Sequence, residues 1–287
     1  MPIFGRREGK LVRNASPIRM MMPYLMRGRN EAAVYFTQEL DLTKTLKYIE
    51  EQNEGLEEKK VSFLQIYLCA IARTLGIRQQ LNRFVVGSRL YQRNNIEISF
   101  AVKKRFEDSA RITTVKISFS PDETLDSLEE KLKGAIQVGR GDKKTGSEVE
   151  VGLLMYLPRF VLKGVMWLQR TLDYFNILPY FMIKDDPLYA SMFIANLGSI
   201  GLDAPYHHLF EYGTIPLFAV IGRIQKTPKF HEDGSFELRD TVKVKYTYDE
   251  RIADGFYCAS SLDILKELIE NPEQLETPPE KGVPATS

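Results

Sequence analysis

The stretch "YDERIADGF", residues 248–256, joins the strongest strand pattern in the chain to its last helical pattern. Over residues 242–248, valine and tyrosine alternate with lysine and threonine, which predicts a strand with one buried face. Asp254 and Gly255 form a pair typical of a tight turn. Apolar residues at helical spacing then predict a helix over residues 256–270. The C-terminal part of the chain is therefore expected to run strand, turn, helix.

The rest of the chain reads as alternating strands and helices without internal repeats. Ser120, Pro121 and Glu123 combine a capping serine with a proline and a glutamate in the first turn, which predicts a helix beginning at Ser120. The turn-prone residues 231–234 predict a hairpin. Periodicity further predicts strands over residues 34–39, 89–92, 96–102, 111–120, 191–196 and 217–221, and helices over residues 62–81 and from residue 42 or 43.

These elements predict one mixed α/β domain over residues 29–275, with a large antiparallel or mixed sheet. Residues 1–28 are basic and methionine-rich and are expected to form an arm lying on the domain. Residues 276–287 contain prolines, a glycine and polar residues, and are expected to form a flexible tail.

Composition excludes several classes of function. The net charge of the 287-residue chain is +1, so no overall basic excess points to a nucleic-acid partner. Cys69 and Cys258 lie in apolar stretches, which argues against a disulfide scaffold and fits the reducing cytoplasm. The N-terminus lacks the apolar core of a secretory signal, so we expect a cytoplasmic protein.

Residues 153–181 are the most hydrophobic part of the chain. Charged side chains interrupt them at Arg159, Lys163, Arg170 and Asp173, so they contain no uncharged stretch of membrane-spanning length. A helix lying in a membrane interface is one interpretation. A helix that is buried or faces another subunit is the preferred one, and membrane contact is not expected.

Two sequence regions together resemble a known family. "MFIANLGSIGLDAP", residues 192–205, and "VKVKYTYDERIADGFYCASS", residues 242–261, are similar to the catalytic domain of the dihydrolipoyl acyltransferases of 2-oxo-acid dehydrogenase complexes. The related chloramphenicol acetyltransferases share this likeness. Further upstream, "AAVYFTQELDLTKTLKYIEEQ" and "VSFLQIYLCAIARTL" fit the same family in the same order.

The resemblance implies a chloramphenicol acetyltransferase-like fold, a two-layer α/β sandwich with a mixed sheet. It also implies a homotrimer whose active site lies in a channel between subunits, entered by coenzyme A from one side and by the acyl acceptor from the other. The substrates would be an acyl thioester and a small-molecule or carrier acceptor. We expect a free-standing catalytic domain without a lipoyl domain or a covalently bound lipoyl group.

The two chemical groups of the family site are both replaced. In the family, the histidine of His-x-x-x-Asp-Gly is the general base, and a serine before Asn-Leu-Gly stabilises the oxyanion. Here Glu250 stands before Asp254-Gly255, and Ala195 stands before Asn196. Losing one oxyanion donor costs about 10²–10³ in rate, and a general base is worth about 10²–10⁴. Because burial raises the pKa of a carboxyl group, Glu250 remains a candidate base.

Other residues offer weaker alternatives. The resemblance implies that Asp254 pairs with an N-terminal arginine, for which Arg19 is the candidate. His207 or His208 could supply a displaced base, although an exposed or hydrogen-bonded loop pair is the simpler interpretation. Both cysteines are interpreted as packing residues, and no metal site is expected. Three consecutive cations, Lys103, Lys104 and Arg105, could hold coenzyme phosphates or form ordinary solvated surface.

Two functions remain open at this point, and a peripheral membrane protein acting through residues 153–181 is a third, less favoured one. The first is a thioester-dependent acyltransferase that uses Glu250. The second is a catalytically inactive trimer that keeps the fold for binding or assembly, because Glu250 and Ala195 together remove the usual lipoyl-transfer chemistry.

Overall fold

The fold is built around one long β-hairpin. In the computed structural model, which describes residues 6–56, 60–103, 112–140, 152 and 154–279, strands β8 (Leu217–Phe230) and β9 (Phe236–Asp249) each have 14 residues and pair antiparallel. The turn between them closes with the His231 amide donating to the Ser235 carbonyl at 2.8 Å. Gly234 there has φ of +82°, a conformation that favours glycine. The hairpin predicted at residues 231–234 is confirmed.

A six-stranded sheet extends from this hairpin in the order β2-β9-β8-β7-β5-β6. The β5–β7 and β7–β8 pairs are parallel and the other pairs are antiparallel, so the sheet is mixed. Its other four strands are β2 (Ala33–Asp41), β5 (Ile96–Lys103), β6 (Ile112–Phe119) and β7 (Met192–Asn196).

A second sheet of three antiparallel strands lies apart from the main one, in the order β1-β4-β3. Its strands are β1 (Gly9–Leu11), β3 (Arg83–Val86) and β4 (Arg89–Arg93). β1 pairs with β4 and so attaches residues from the N-terminal arm to the body. β1 and β3 were not predicted, because three or four residues are too few to show an alternating pattern.

Six α-helices occur within the described ranges: α1 (Pro17–Leu25), α2 (Thr43–Asn53), α3 (Phe63–Ile77), α4 (Leu125–Arg140), α5 (Arg159–Tyr174) and α6 (Gly255–Glu270). The main core lies between α3, α4, α6 and one face of the large sheet. Alternate residues such as Ile98, Ile194 and Val244 point from the strands into this core. The predicted two-layer α/β sandwich with a mixed sheet is confirmed.

Two predicted helix boundaries were wrong. α4 begins at Leu125 and not at Ser120, because the buried Glu123 carboxylate accepts from the Ser120 amide at 3.0 Å and holds a turn. Thr124 and Ser127 then exchange side-chain and backbone hydrogen bonds and form the actual N-terminal cap. α3 ends at Ile77, so it is shorter than the predicted residues 62–81.

The turn after β7 rests directly on β8. The β8–β9 register shifts between Ile221 and Ile224, and Gly222 lies in this irregular part. A Cβ atom at Gly198 would lie 2.2 Å from the Gly222 carbonyl oxygen, which belongs to the backbone and cannot rotate away. Glycine at residue 198 therefore allows the chain to approach the β8 irregularity closely.

We expect Gly198→Ala to lower the free energy of unfolding by about 1–3 kcal/mol, because the added methyl group overlaps the β8 backbone. Urea unfolding measures the change. Gly134→Ala in α4 is the matched control: its Cβ meets no atom within 4 Å, so it should be neutral or stabilise by up to about 1 kcal/mol. Equal effects of the two substitutions would contradict the close approach.

Candidate functional site

The end of β9 is fixed by a buried ion pair. The Asp249 carboxylate accepts from Nε and Nη2 of Arg251 at 2.8 and 2.7 Å, and both side chains are almost fully buried. Arg251 also donates to the carbonyls of Met26 and Arg27, at 3.0 and 3.1 Å. The pair therefore joins the last strand to the segment that follows α1. Its role was not predicted from the sequence.

Glu250 lies between these two inward-pointing residues. Its amide donates to the Ala32 carbonyl at 2.9 Å, and its carbonyl accepts a hydrogen bond from the Arg19 guanidinium. Its side chain is half-buried, unlike those of Asp249 and Arg251. The backbone at residue 250 is thus held from two sides, and its carboxylate stays accessible.

Asp254 and Gly255 begin the last helix. Nη2 of Arg19 lies 3.9 Å from Oδ2 of Asp254, so the predicted ion pair is present. Oδ1 of Asp254 accepts from the Tyr257 amide at 2.8 Å, which makes Asp254 the N-cap of α6. Gly255 is the first helical residue and does not have a positive φ, so it is not required for a left-handed turn.

Tyr248 is a polar neighbour of this turn that sequence reasoning missed. A Cβ atom at Gly255 would lie 3.9 Å from its hydroxyl. Burial, helped by the negative charge of Glu250, raises the pKa of Tyr248 to about 12. The phenol is therefore neutral at physiological pH and available as a hydrogen-bond donor. The strand pattern placed Tyr248 on the core face but did not indicate this contact.

Ala195 and Asn196 end β7 on another part of the sheet. Oδ1 of Asn196 accepts from the Ser199 amide at 3.2 Å, and the Ser199 hydroxyl donates to the Asn196 carbonyl at 2.8 Å. Both groups organise the following turn. The Ala195 side chain is half-buried and packs with the smaller core cluster that includes Phe218. It carries no group that could stabilise an oxyanion.

Strand register separates Ala195 from Glu250 within one chain. Ala195 pairs with Val220, which pairs with Lys245 on β9. Glu250 follows five residues later, which corresponds to about 17 Å at the usual rise of a strand. Groups that share a reacting atom must approach to about 3 Å. One chain therefore does not bring residues 195 and 250 together.

His207 and His208 form a stacked pair on the loop that covers the Phe218 face of the sheet. The His207 ring lies 4.0 Å from the Phe218 ring centroid, almost parallel to it. Nδ1 of His207 lies 2.7 Å from the His208 carbonyl oxygen, and Nδ1 of His208 lies 2.9 Å from the Leu209 carbonyl oxygen. The structure thus agrees with the interpretation of a hydrogen-bonded loop pair.

The remaining candidates are two buried thiols and three cations whose side chains lie outside the described residues. Burial raises the pKa of both Cys69 and Cys258 to about 12, so both thiols act as packing groups. Lys104 and Arg105 lie outside the described residues, as does the side chain of Lys103. Within the described ranges, no group of three or more potential ligands is placed to hold a metal ion.

A cleft of about 510 Å³ lies beside Arg251, between the N-terminal segment and α5. Arg27, Arg29 and Arg170 contribute guanidinium groups to its lining. Arg29 donates hydrogen bonds to the carbonyls of Phe210 and Glu211. Arg27, by contrast, is exposed and has no ion-pair partner among the described residues. Because guanidinium groups bind phosphate well, this cleft could hold the phosphates of a coenzyme.

No helix in the described part of the chain combines the length and the apolar character needed to cross a bilayer.

Comparisons with known proteins show the family and the fold of the chain. The model of the 2-oxoacid dehydrogenases acyltransferase (catalytic domain) family matches residues 12–152 and 186–277. A lipoamide acyltransferase component of the branched-chain alpha-keto acid dehydrogenase complex from Bacillus subtilis (strain 168) is 21% identical over 236 residues. These residues cover 81% of this chain and 45% of the relative, so the chain spans about half the length of that curated protein.

Two solved structures have the same fold. A probable dihydrolipoamide acetyltransferase from Listeria monocytogenes 4b F2365 superimposes with a TM-score of 0.60 at 14% identity, covering 96% of this chain and 98% of that one. A chloramphenicol acetyltransferase superimposes with a TM-score of 0.54 at 11% identity, covering 92% and 98%. The resemblance to this superfamily and its fold, predicted from residues 192–205 and 242–261, is confirmed.

We expect Asp249→Asn to lower the free energy of unfolding by about 3–5 kcal/mol, because it leaves the buried Arg251 guanidinium without its counter-charge. Urea unfolding monitored by circular dichroism measures the loss. Asp203→Asn breaks the solvent-exposed 3.0 Å pair with Arg223 and should cost less than about 1 kcal/mol. Similar costs for the two variants would show that the buried pair does not fix the end of β9.

Proposed function

Since the chain belongs to the 2-oxoacid dehydrogenase acyltransferase (catalytic domain) family, we propose that it transfers an acyl group from a thioester to an acceptor. Coenzyme A is the proposed carrier of the acyl group, and a small molecule or a carrier-bound group is the proposed acceptor. The observation that supports this most directly is the positioning of residue 250. Arg19 contacts both the Glu250 carbonyl and the Asp254 carboxylate, while the Glu250 side chain remains accessible.

In the proposed reaction, the acceptor nucleophile attacks the thioester carbonyl carbon as Glu250 takes its proton. The tetrahedral intermediate then collapses, the carbon–sulfur bond breaks, and the coenzyme leaves as a thiolate that is reprotonated. The neutral Tyr248 hydroxyl is the donor near Glu250 that could stabilise the oxyanion in place of a serine. Asp254 and Arg19 act as positioning residues, and the Arg27 side of the cleft would receive coenzyme phosphates.

A carboxylate is a weak base for thiol chemistry. Moving a proton from a free thiol, pKa about 8.5, to an ordinary glutamate, pKa about 4.3, is uphill by about 6 kcal/mol. A site that uses Glu250 is therefore better matched to an acceptor that loses its proton late in the reaction, as the bond to carbon forms. For this reason, an amine or a hydroxyl is the acceptor class that we propose to test beside dithiols.

We further propose that the active assembly is a homotrimer, with its sites between subunits. Residues 195 and 250 are too far apart in one chain to act on the same substrate, as the strand register indicates. If residue 195 of one subunit faces residue 250 of its neighbour, each interface gains both halves of one site. The buried, unpaired cysteines fit the cytoplasm as the proposed compartment.

A catalytically inactive assembly is the second candidate function. The observation that favours it is the paired replacement: Ala195 offers no oxyanion donor, and Glu250 stands where the family has its histidine. In that case the preserved contacts around Arg19 and Asp249 would serve binding or assembly.

We expect acetyl-CoA to release free coenzyme A when the chain is supplied with a suitable acceptor from a panel of amines, hydroxyls and dithiols. A thiol-reactive chromogen follows this release. Glu250→Gln should lower kcat/KM by about 10²–10⁴-fold, because it removes the proton acceptor. Glu232→Gln, in the exposed hairpin turn, is the matched control and should change nothing.

Turnover that is unaffected by Glu250→Gln would contradict the proposed role of Glu250. Absence of both turnover and acyl-CoA binding by calorimetry would contradict the acyltransferase proposal. If the chain binds acyl-CoA without turnover, the double variant Ala195→Ser, Glu250→His separates the two candidates. Transfer activity gained by that variant would support the inactive assembly.

A further inference from the structure

Residues 153–185 lie between the two ranges matched by the family model. They contain α5, which has no buried residue along its 16-residue length. The matched ranges contain all the strands of the large sheet. The family model therefore does not match segment 153–185, and its helix contributes little to the core.

One face of α5 carries alternating aromatic and basic residues. Phe160, Lys163, Trp167, Arg170 and Tyr174 follow one another at spacings of three and four residues, which places them on one side of the helix. All five are exposed, and the three aromatic residues have 77%, 68% and 51% of their surface accessible. We call these five residues the aromatic–basic stripe.

The opposite face of the helix attaches the segment to the body. Gln169 donates to the Tyr212 hydroxyl at 2.6 Å, and Asp173 accepts from Arg6 at 2.8 Å. Both side chains are half-buried. Phe160, Lys163 and Trp167 lie away from these contacts, whereas Arg170 and Tyr174, at the other end of the stripe, also line the cleft.

The charge of this surface has one sign. Between residues 154 and 182, all within the described part of the chain, Asp173 is the sole carboxylate, and its ion pair with Arg6 neutralises it. The exposed charges of residues 154–182 are therefore cationic, and Asp185, just beyond them, lies 3.6 Å from the ammonium group of Lys184. Large apolar side chains surround the stripe: Met155, Tyr156, Leu168, Phe175 and Phe181 are each at least 50% exposed.

We propose that the aromatic–basic stripe docks the protein on an anionic membrane surface. Aromatic rings are stable at the boundary between headgroups and acyl chains, and arginine and lysine bury their stems while their charges contact lipid phosphates. The aliphatic neighbours Met155 and Leu168 gain from contact with acyl chains. This inference reverses the expectation, drawn from the sequence, that the chain makes no membrane contact.

Two other occupants fit the surface less well. A two-fold interface between copies would place two cationic stripes against each other, and a heterologous contact within the proposed trimer is tested below by the solution mass. A single-stranded nucleic acid could stack on the aromatic rings, but its bases would leave the aliphatic side chains around the stripe without a matching surface. An anionic bilayer complements the cations, the rings and the aliphatic groups at once.

Trp167 provides a direct reporter, because it is the one tryptophan in the chain and lies in the centre of the stripe. We expect its fluorescence to shift to shorter wavelength when the full chain meets vesicles of phosphatidylglycerol mixed with phosphatidylcholine. Phosphatidylcholine vesicles alone should produce little shift, and added salt should weaken binding, because salt screens the attraction.

The double variant Arg159→Gln, Lys163→Gln should lower the apparent affinity for the anionic vesicles by about 30-fold, at the usual contribution of each cation near a lipid surface. Arg170, which also lines the cleft, remains unchanged. Phe160→Ser should weaken vesicle binding further, and Phe230→Ser is its matched control. Phe230 is 70% exposed on the β8–β9 hairpin, so its loss should not affect binding.

Absence of a fluorescence shift with anionic vesicles would overturn the proposal. A change of solution mass in Phe160→Ser, seen by light scattering without vesicles, would instead identify the stripe as an interface between copies. A shift produced by a single-stranded oligonucleotide at lower concentration than by lipid would identify a nucleic-acid surface. None of these measurements depends on acyl transfer.

Discussion

The ion pair between Asp249 and Arg251 determines how the predicted active-site turn is presented. Both side chains are buried, and Arg251 also donates to two carbonyls that follow α1. Because Asp249 and Arg251 are buried, Glu250 is the residue between them whose side chain stays half-buried. A buried pair of this kind contributes little net stability by comparison with a hydrophobic substitute, but losing one partner is costly. Here the pair fixes the position of the backbone at the end of β9.

The side chains at the Glu250 turn differ from the histidine and serine that the family uses, and so would support a different chemistry. A glutamate and a buried, neutral tyrosine stand near the turn, and Ala195 lies at the end of another strand, about 17 Å along the sheet. We propose that a second chain completes such a site and that the site suits acceptors other than free thiols. The helix α5, which has no buried residue, is proposed to have the separate role of docking to a membrane.

Sequence patterns predicted the fold well, because alternating strands, the hairpin turn and the motif around Asp254 are local features. The start of α4 was missed because the Glu123 carboxylate folds back onto the Ser120 amide, with support from Lys131 across the next turns. The bonds from Arg251 to Met26 and Arg27 were missed because they join residues over 200 positions apart. Hydrophobicity alone could not reveal that no residue of 159–174 is fully buried, because burial depends on whether a neighbour covers the helix.

The central claim is that residues 195 and 250 meet between subunits. A double variant, Ala195→Cys with Glu250→Cys, tests it directly when treated with a short bifunctional thiol reagent. The native thiols do not interfere, because they are buried and their pKa values are raised to about 12. We predict covalent dimers and trimers on a denaturing gel, which neither single variant gives to the same extent. A double variant that remains at the 33.0 kDa mass of one chain would contradict the account.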